Sequence, residues 1–290
     1  MKLIVRYLLL LMCFVSFSAI AQDDEDEDTW DEPERKGFTL GLNIGAYFGN
    51  KKAANFYNGL GLYAINDVQA NVYTIEERLA LGTTAQTVQN LLDAQSFYVP
   101  FDAYPLNMRY NPGIMIGFKL GYRFKNEASV FVDANYASLK AADKFTLVTN
   151  LLPDPSQGTT DTRLYNIIGA EDRLCINLGY KGGVVVNETT NWTVEVGASM
   201  LATRLVDNYV EIEGQQFDLW VNFIGPNNFN GPASNLTSTG YGWFFGTGFE
   251  MFFNETYEIG LGVRFMRDNV KLGTYEEKLM NKSFFLSFTI

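Results

Sequence analysis

The chain has 290 residues, with 22 Lys and Arg against 33 Asp and Glu, no histidine and two cysteines. A net charge of −11 offers no basic footprint for nucleic acid, and the missing histidine removes Ser-His and Cys-His hydrolases and His-ligated zinc or haem sites. The length suits a single all-β domain.

Residues 1–21 read as a secretory signal peptide. Lys2 and Arg6 give the positive start, Tyr7 to Ile20 the short apolar stretch, and Ala19-Ile20-Ala21 the cleavage site. The stretch is too short for a spanning helix, which needs ~20 apolar residues. Removal of this segment leaves Cys175 as the sole cysteine, so no intrachain disulfide forms and a small buried role is expected. Residues 22–36 are an acidic segment: Asp23, Asp24, Glu25, Asp26, Glu27 and Asp28 precede Trp30, and Asp31, Glu32 and Glu34 follow it. Such a block repels itself and buries little, which predicts disorder. It is either a solubilising spacer or, with Trp30, a docking strip for a basic partner or divalent cations.

From residue 37 onward the hydropathy alternates with a period of two. Phe38, Leu40, Leu42, Ile44, Ala46 and Phe48 face away from Thr39, Gly41, Asn43, Gly45 and Tyr47. Seven further runs follow, at 114–124, 130–137, 173–181, 192–200, 242–253, 257–265 and 283–290. This is the pattern of strands with one apolar and one polar face. Across the apolar faces of all eight runs there is no charge and one polar residue, Thr247. A soluble sandwich also alternates, so connection lengths must separate it from a membrane barrel. Short links around 125–127, 187–189 and 254–256 alternate with long ones at about 49–113, 141–171, 204–240 and 268–281. That is the plan of an outer-membrane barrel, with short periplasmic turns, long extracellular loops and both termini periplasmic. Aromatics near the run ends, among them Phe38, Trp192, Phe253 and Tyr257 below and Phe48, Tyr136, Trp243 and Phe265 above, match interfacial girdles. The expected fold is therefore an all-β, eight-stranded, antiparallel, up-and-down transmembrane barrel over residues 37–290.

Eight strands leave only room for side chains inside. Inward glycines make space for Tyr47, Phe131, Phe244 and Phe252. The inward charges are Lys119, Arg123, Arg173, Lys181 and Arg264 against Asp133, Glu195, Glu250 and Glu258. Their near balance suits a packed ionic plug; the other reading is a polar conduit for a small solute.

The first long connection is the most informative. Helix-like spacing from Ile75 to Gln95, broken at Gly82-Thr83-Thr84, predicts two short helices. Around them lie Phe56, Tyr57, Leu60, Phe97, Tyr98, Phe101 and Tyr104, too apolar a set to stay solvated. The segment either folds as a lid over the barrel mouth or is covered by another protein, which makes Phe97, Tyr98, Phe101 and Tyr104 candidates for partner docking. The stretch from Tyr209 to Leu219 reads as a surface hairpin turning at Gly214, and its carboxylates Glu211, Glu213 and Asp218 lack the spacing of a calcium loop. No cofactor is expected. Enzyme chemistry would have to rest on carboxylates alone, and no cleft for it is apparent.

With these runs placed, the body resembles the OmpX/OmpA-transmembrane-type barrel family, in the long-looped style of Bacteroidota envelopes. The resemblance rests on alternation, glycine-rich inward faces and the ending Phe284-x-Leu286-x-Phe288-x-Ile290, which is similar to the insertion signal of such barrels. It implies an outer-membrane location, contact with lipid and no catalysis. The expected role is a structural or accessory subunit of a larger envelope assembly for secretion, barrel insertion or uptake, with a small-solute pore or a surface adhesin as the alternatives.

Overall fold

Strict alternation makes each strand amphipathic, and the sheet resolves this by turning the small and charged residues to one side and the bulky apolar ones to the other. A computed structural model describes residues 36–61, 70–124, 128–151, 160–187, 189–223, 229–232, 237–253, 257–273 and 275–290. The signal peptide, most of the acidic segment and the docking candidates Asp23, Asp24, Glu25, Asp26, Glu27, Asp28 and Trp30 lie outside the described residues.

In chain order the elements begin with strand β1 (Gly37–Phe48), the helical turn α1 (Lys51–Ala54), β2 (Ala70–Val72) and helices α2 (Ile75–Ala80) and α3 (Gly82–Leu92). Strands β3 (Ala94–Tyr98), β4 (Gly113–Arg123), β5 (Ser129–Leu151), β6 (Thr160–Asn187) and β7 (Thr190–Ile212) follow. The last elements are β8 (Gln215–Asp218), β9 (Trp220–Phe223), β10 (Phe229–Pro232), β11 (Thr237–Phe252), β12 (Glu258–Leu272) and β13 (Tyr275–Thr289). The main sheet has ten strands, not the expected eight, and β2, β9 and β10 form a separate three-stranded sheet. Every pairing is antiparallel. The order runs β11-β12-β13-β1-β4-β5-β6-β7, and β11 also pairs with β7 from Thr237↔Arg204 to Met251↔Thr190. The two extra strands are β3, paired to the far end of β5, and β8, paired to the far end of β7.

Side-chain exposure separates the two faces. Ile114, Ile116, Phe118 and Leu120 of β4 are at least half exposed, whereas the intervening Met115 and Lys119 are buried. The same holds along β13, where Phe284, Leu286, Phe288 and Ile290 point outward and Ser283, Phe285, Ser287 and Thr289 inward. Thr247, the polar exception within the eight apolar runs, accepts a hydrogen bond from Trp192 Nε1 at 2.9 Å and donates to the Thr193 carbonyl at 3.0 Å.

Much of what reads as loop in the sequence is strand. Residues 141–151, 160–171, 204–212 and 268–281 continue β5, β6, β7, β12 and β13, with only a tight turn near Gly273 joining the last two. The reason is a reversal of polarity at constant parity. On β5 the outward residues pass from Val132 and Tyr136 to Lys140 and Lys144, while the inward ones pass from Asp133 and Asn135 to Leu139, Phe145 and Leu147. On β12 the outward Leu261 and Phe265 give way to Arg267 and Lys271. On β7 the register shifts, leaving Val206 unpaired as a bulge, so that buried positions move from Leu201 and Leu205 to Val210 and Ile212. Alternation thus persists, but with its sign changed.

The long first connection folds onto these extensions. Thr74 and Glu77 form a capping box that starts α2, and Gly82 opens α3 with φ +43°, so the helix break falls at Leu81 rather than inside Gly82-Thr83-Thr84. Ile75, Leu79, Val88 and Leu92 from these helices are buried in one cluster with Phe145, Leu147, Ile167, Val210, Ile212, Phe217 and Trp220. Burial of such side chains is worth roughly 1.5–3 kcal/mol apiece, which fastens the connection to the strand extensions. The hairpin of β7 and β8 turns at Glu213 and Gly214, both at positive φ as a tight two-residue turn requires.

One close approach seats this cap. A Cβ on Gly169 of β6 would lie 2.1 Å from the ring of Tyr57, so only glycine admits the tyrosine there. Gly169→Val is expected to unseat Tyr57 and speed protease cleavage within residues 50–110, while the strands of the main sheet survive. Limited proteolysis of the variant beside the parent checks this.

Candidate functional site

All nine charges expected to face inward are buried, and each has an oppositely charged neighbour. They fall into three levels. At the end of the sheet near the chain termini, Arg123 pairs with Glu258, and Lys181 Nζ lies 2.6 Å from Glu250 and 3.7 Å from Glu258. At mid-height, Lys119 meets Glu195 at 3.1 Å, and Arg264 bridges Asp133 at 2.8 Å and Glu195 at 2.6 Å. Asp133 also accepts from Asn135 and Asn177, each at 2.6 Å. At the far end, Arg173 Nε meets Glu171 Oε1 at 2.6 Å, and its Nη1 donates to Asn281 Oδ1 at 3.0 Å.

Packing around the charges is aromatic. The Arg264 guanidinium lies 4.7 Å from the Phe244 ring centre and 5.1 Å from that of Phe285, and Lys119 Nζ stands 4.3 Å from Phe131. Gly179 leaves room for Phe244 and Phe131: a Cβ there would sit 2.6 Å and 2.8 Å from their ring tips. Cys175 is buried in the same interior, as expected of a lone small residue. A cavity of about 10 Å³ bordered by Glu195, Glu250, Gly260 and Phe285 has space for no more than about one water. Ion pairs joining β5 to β12, β4 to β7 and β4 to β12 cross from one part of the sheet to another and brace it.

The sequence reading missed two of the interior acids. Glu171 and Asp268 are buried, Glu171 completely, yet both fell in segments read as loop. The parity of β6 contains the missing signal, because Glu171 is two residues from Arg173 and on the same side of the strand. Glu171 also accepts from Tyr57 Oη at 2.8 Å and Tyr110 Oη at 2.9 Å, which ties the first connection to β6. Burial, reinforced by the Glu171 carboxylate, pushes the Tyr57 phenol well above its usual range, so it remains a donor. The start of the same connection is also fastened to β13: Asn50 N donates to Asn281 Oδ1 at 3.1 Å, and Lys52 Nζ meets Glu277 at 2.8 Å. Tyr57 and Lys52 therefore anchor on strands four places apart in the pairing order, and the cap crosses above the interior.

The docking candidates divide. Tyr104 is buried and Phe97 half-buried against the cap core, whereas Tyr98 is 46% and Phe101 84% exposed. Leu106, not singled out from sequence, is 62% exposed beside them in the same connection. Phe284, Leu286, Phe288 and Ile290 all lie on the outer face of β13 or at its end. Glu213 is engaged by Tyr165 Oη at 2.8 Å, and among the described residues no group of three or more His, Cys, Asp or Glu is placed to hold a metal ion.

Two outcomes follow. Glu195→Gln leaves Lys119 and Arg264 short of negative charge in a buried site, and is expected to cost about 3–5 kcal/mol in reversible urea unfolding from detergent micelles. The Lys52 ammonium holds the Glu277 carboxyl below its ordinary value. A depressed carboxyl contributes stability above its unfolded value of about 4.3 and loses it as pH falls through the lower folded value. Hydrogen exchange around Lys52 is therefore expected to quicken on acidification below about pH 4.3 in the parent, and to be pH-independent there in Glu277→Gln once intrinsic rates are divided out.

No protein-family model matches the chain, and comparison with curated proteins finds no match. Among solved structures, three outer-membrane proteins are similar over 88% of this chain. Neisserial surface protein A is 11% identical and covered over 96% of its own chain at a TM-score of 0.36. OprG from Pseudomonas aeruginosa is 10% identical, covered over 97%, with a TM-score of 0.38. Ail, the attachment invasion locus protein of Yersinia pestis, solved with the heparin analogue sucrose octasulfate, is 8% identical, covered over 99%, with a TM-score of 0.33. Likenesses at these TM-scores carry no functional argument, and the reading below rests on this chain's own geometry.

Proposed function

We propose that the chain is a non-catalytic outer-membrane β-barrel, and that its ionically sealed interior anchors a folded extracellular cap serving as an interaction surface within a larger envelope assembly. Eight strands, β1, β4–β7 and β11–β13, form the barrel wall in this reading, and β3 and β8 belong to the cap. The register supports closure. A walk from Leu174 on β6 through Tyr136, Ile116, Ile44, Leu286, Leu261, Phe249 and Trp192 returns to β6 at Val184, ten residues further along. With a rise of ~3.3 Å per residue and a tilt near 40°, that offset corresponds to a band roughly 25 Å tall, the height of the apolar zone of outer-membrane barrels. Every side chain on the walk is apolar or aromatic and faces outward. The start of β1 and the end of β13 lie at the Val184 end and the folded first connection lies at the other; in such barrels the end away from the long connections is periplasmic. The acidic segment 22–36 would then be periplasmic too.

The observation that carries the interaction role is the exposure of Tyr98, Phe101 and Leu106 on the cap. Tyr98 ends β3 and the other two follow it; Tyr98 pairs with Val148, twelve residues beyond Tyr136 of the band, so lipid does not explain them. A folded surface that leaves such groups in water is suited to a protein partner. The sealed interior weighs against the pore reading.

The test is affinity purification of tagged protein from native outer membranes, parent against a Tyr98→Ser, Phe101→Ser, Leu106→Ser variant. The parent is expected to bring down a stoichiometric partner and the variant to lose it, with folded gel mobility retained. Recovery of monomer alone from both overturns the assembly role. Steady solute-dependent conductance of the parent in planar bilayers would replace this reading with the pore.

A further inference from the structure

We propose that the outer face of β12 and β13, at the cap end of the apolar band, binds the phosphate groups of an anionic lipid of the outer leaflet through Arg267, Lys278 and Lys282. The inference rests on the membrane reading above and adds a ligand to it. All three side chains are exposed and point outward. Across the ladder Arg267 faces Met280, with Lys278 and Lys282 on the two diagonals, where Cβ atoms lie roughly 7–8 Å apart. The register thus sets three long, exposed cationic side chains around one methionine. Among the described residues Arg267 and Lys278 make no ion pair, and Lys282 Nζ stands 5.8 Å from the Phe265 ring centre. Glu276, on the same face of β13 as Lys278, feels the Lys278 charge but takes its direct contacts from Lys271 at 3.0 Å and Asn269 at 2.6 Å.

The neighbours identify the ligand as amphiphilic. Trp243 pairs with Arg267 from β11, Phe48 pairs with Lys282 from β1, and Phe284 continues the outer face of β13 toward the apolar band. A phosphate held by the guanidinium fork and two ammonium groups would have its acyl chains against this wall. Free phosphate would use only the polar half of the patch. The opposite ends of the same strands carry Tyr257, Phe288 and Ile290 outward and no cation, so the charge is confined to one leaflet; Lys36, ahead of β1, is the nearest basic residue there.

The test uses the full mature chain in nanodiscs doped with bis-phosphorylated lipid A or with the same lipid stripped of phosphate, read by native mass spectrometry after release into detergent. The parent is expected to retain the phosphorylated lipid. The R267Q/K278Q/K282Q variant should hold it at least tenfold more weakly, and R267Q alone at least threefold. Stripped lipid should bind both forms weakly, and inorganic phosphate should not displace the intact lipid. K140Q/K144Q, on β5 at the far side of the pairing order, should match the parent. Equal retention by parent and triple variant, an equal loss in K140Q/K144Q, or full displacement by inorganic phosphate overturns the proposal. Gel mobility with and without heating is recorded for every form. A parent that folds only with amphiphile yet binds like the triple variant defeats the lipid site alone, whereas a parent that is soluble and monomeric without amphiphile defeats the membrane reading itself.

Discussion

The organising constraint is that, along the apolar band of the main sheet, charge has one place to go. Bulky apolar groups occupy the outer face, so each Lys, Arg, Asp and Glu of the same segments turns inward and must find its counter-charge there. The cross-pairs of Arg264 with Asp133 and Glu195, and of Arg123 with Glu258, satisfy this by reaching between strands far apart in sequence. Ion pairs buried in this way add little net stability, but mismatching them is expensive. Their main effect is therefore on specificity: a one-residue slip of any strand would turn charges outward and bring apolar groups in.

The same constraint made most of the wall legible in the sequence. Parity alone assigned Lys119, Arg123, Asp133, Arg173, Lys181, Glu195, Glu250, Glu258 and Arg264 to the interior, because a strand offers only two faces and one was already free of charge. What escaped was everything beyond the level where the surroundings change. Past Tyr136 on β5 and Phe265 on β12, polar residues face out and apolar residues face in. A search for charge-free outer faces stops there although the hydrogen-bonded ladder continues. Glu171 and Asp268 were lost for that reason, and the strand count came out at eight where the sheet has ten.

The long first connection shows the limit of composition. Its apolar content correctly predicted that it could not remain solvated, and the spacing of Ile75, Leu79, Val88 and Leu92 correctly indicated helices. The choice between an internal core and a partner depended on where β5, β6 and β7 end, which composition does not contain. Most of those side chains pack internally, and Tyr98, Phe101 and Leu106 remain as the unspent residue of the prediction.

The ladder between β1 and β13 joins Gly41 to Thr289 and Phe48 to Lys282, the first and last strands of the main sheet, whereas its other ladders join strands much nearer in sequence. Such a fastening carries the largest loop-closure entropy in the molecule and forms only after the final strand has been made. Assembly is thus a drawstring process: hairpins can collect along the way, but the sheet is drawn together last, at the meeting of its first and last strands.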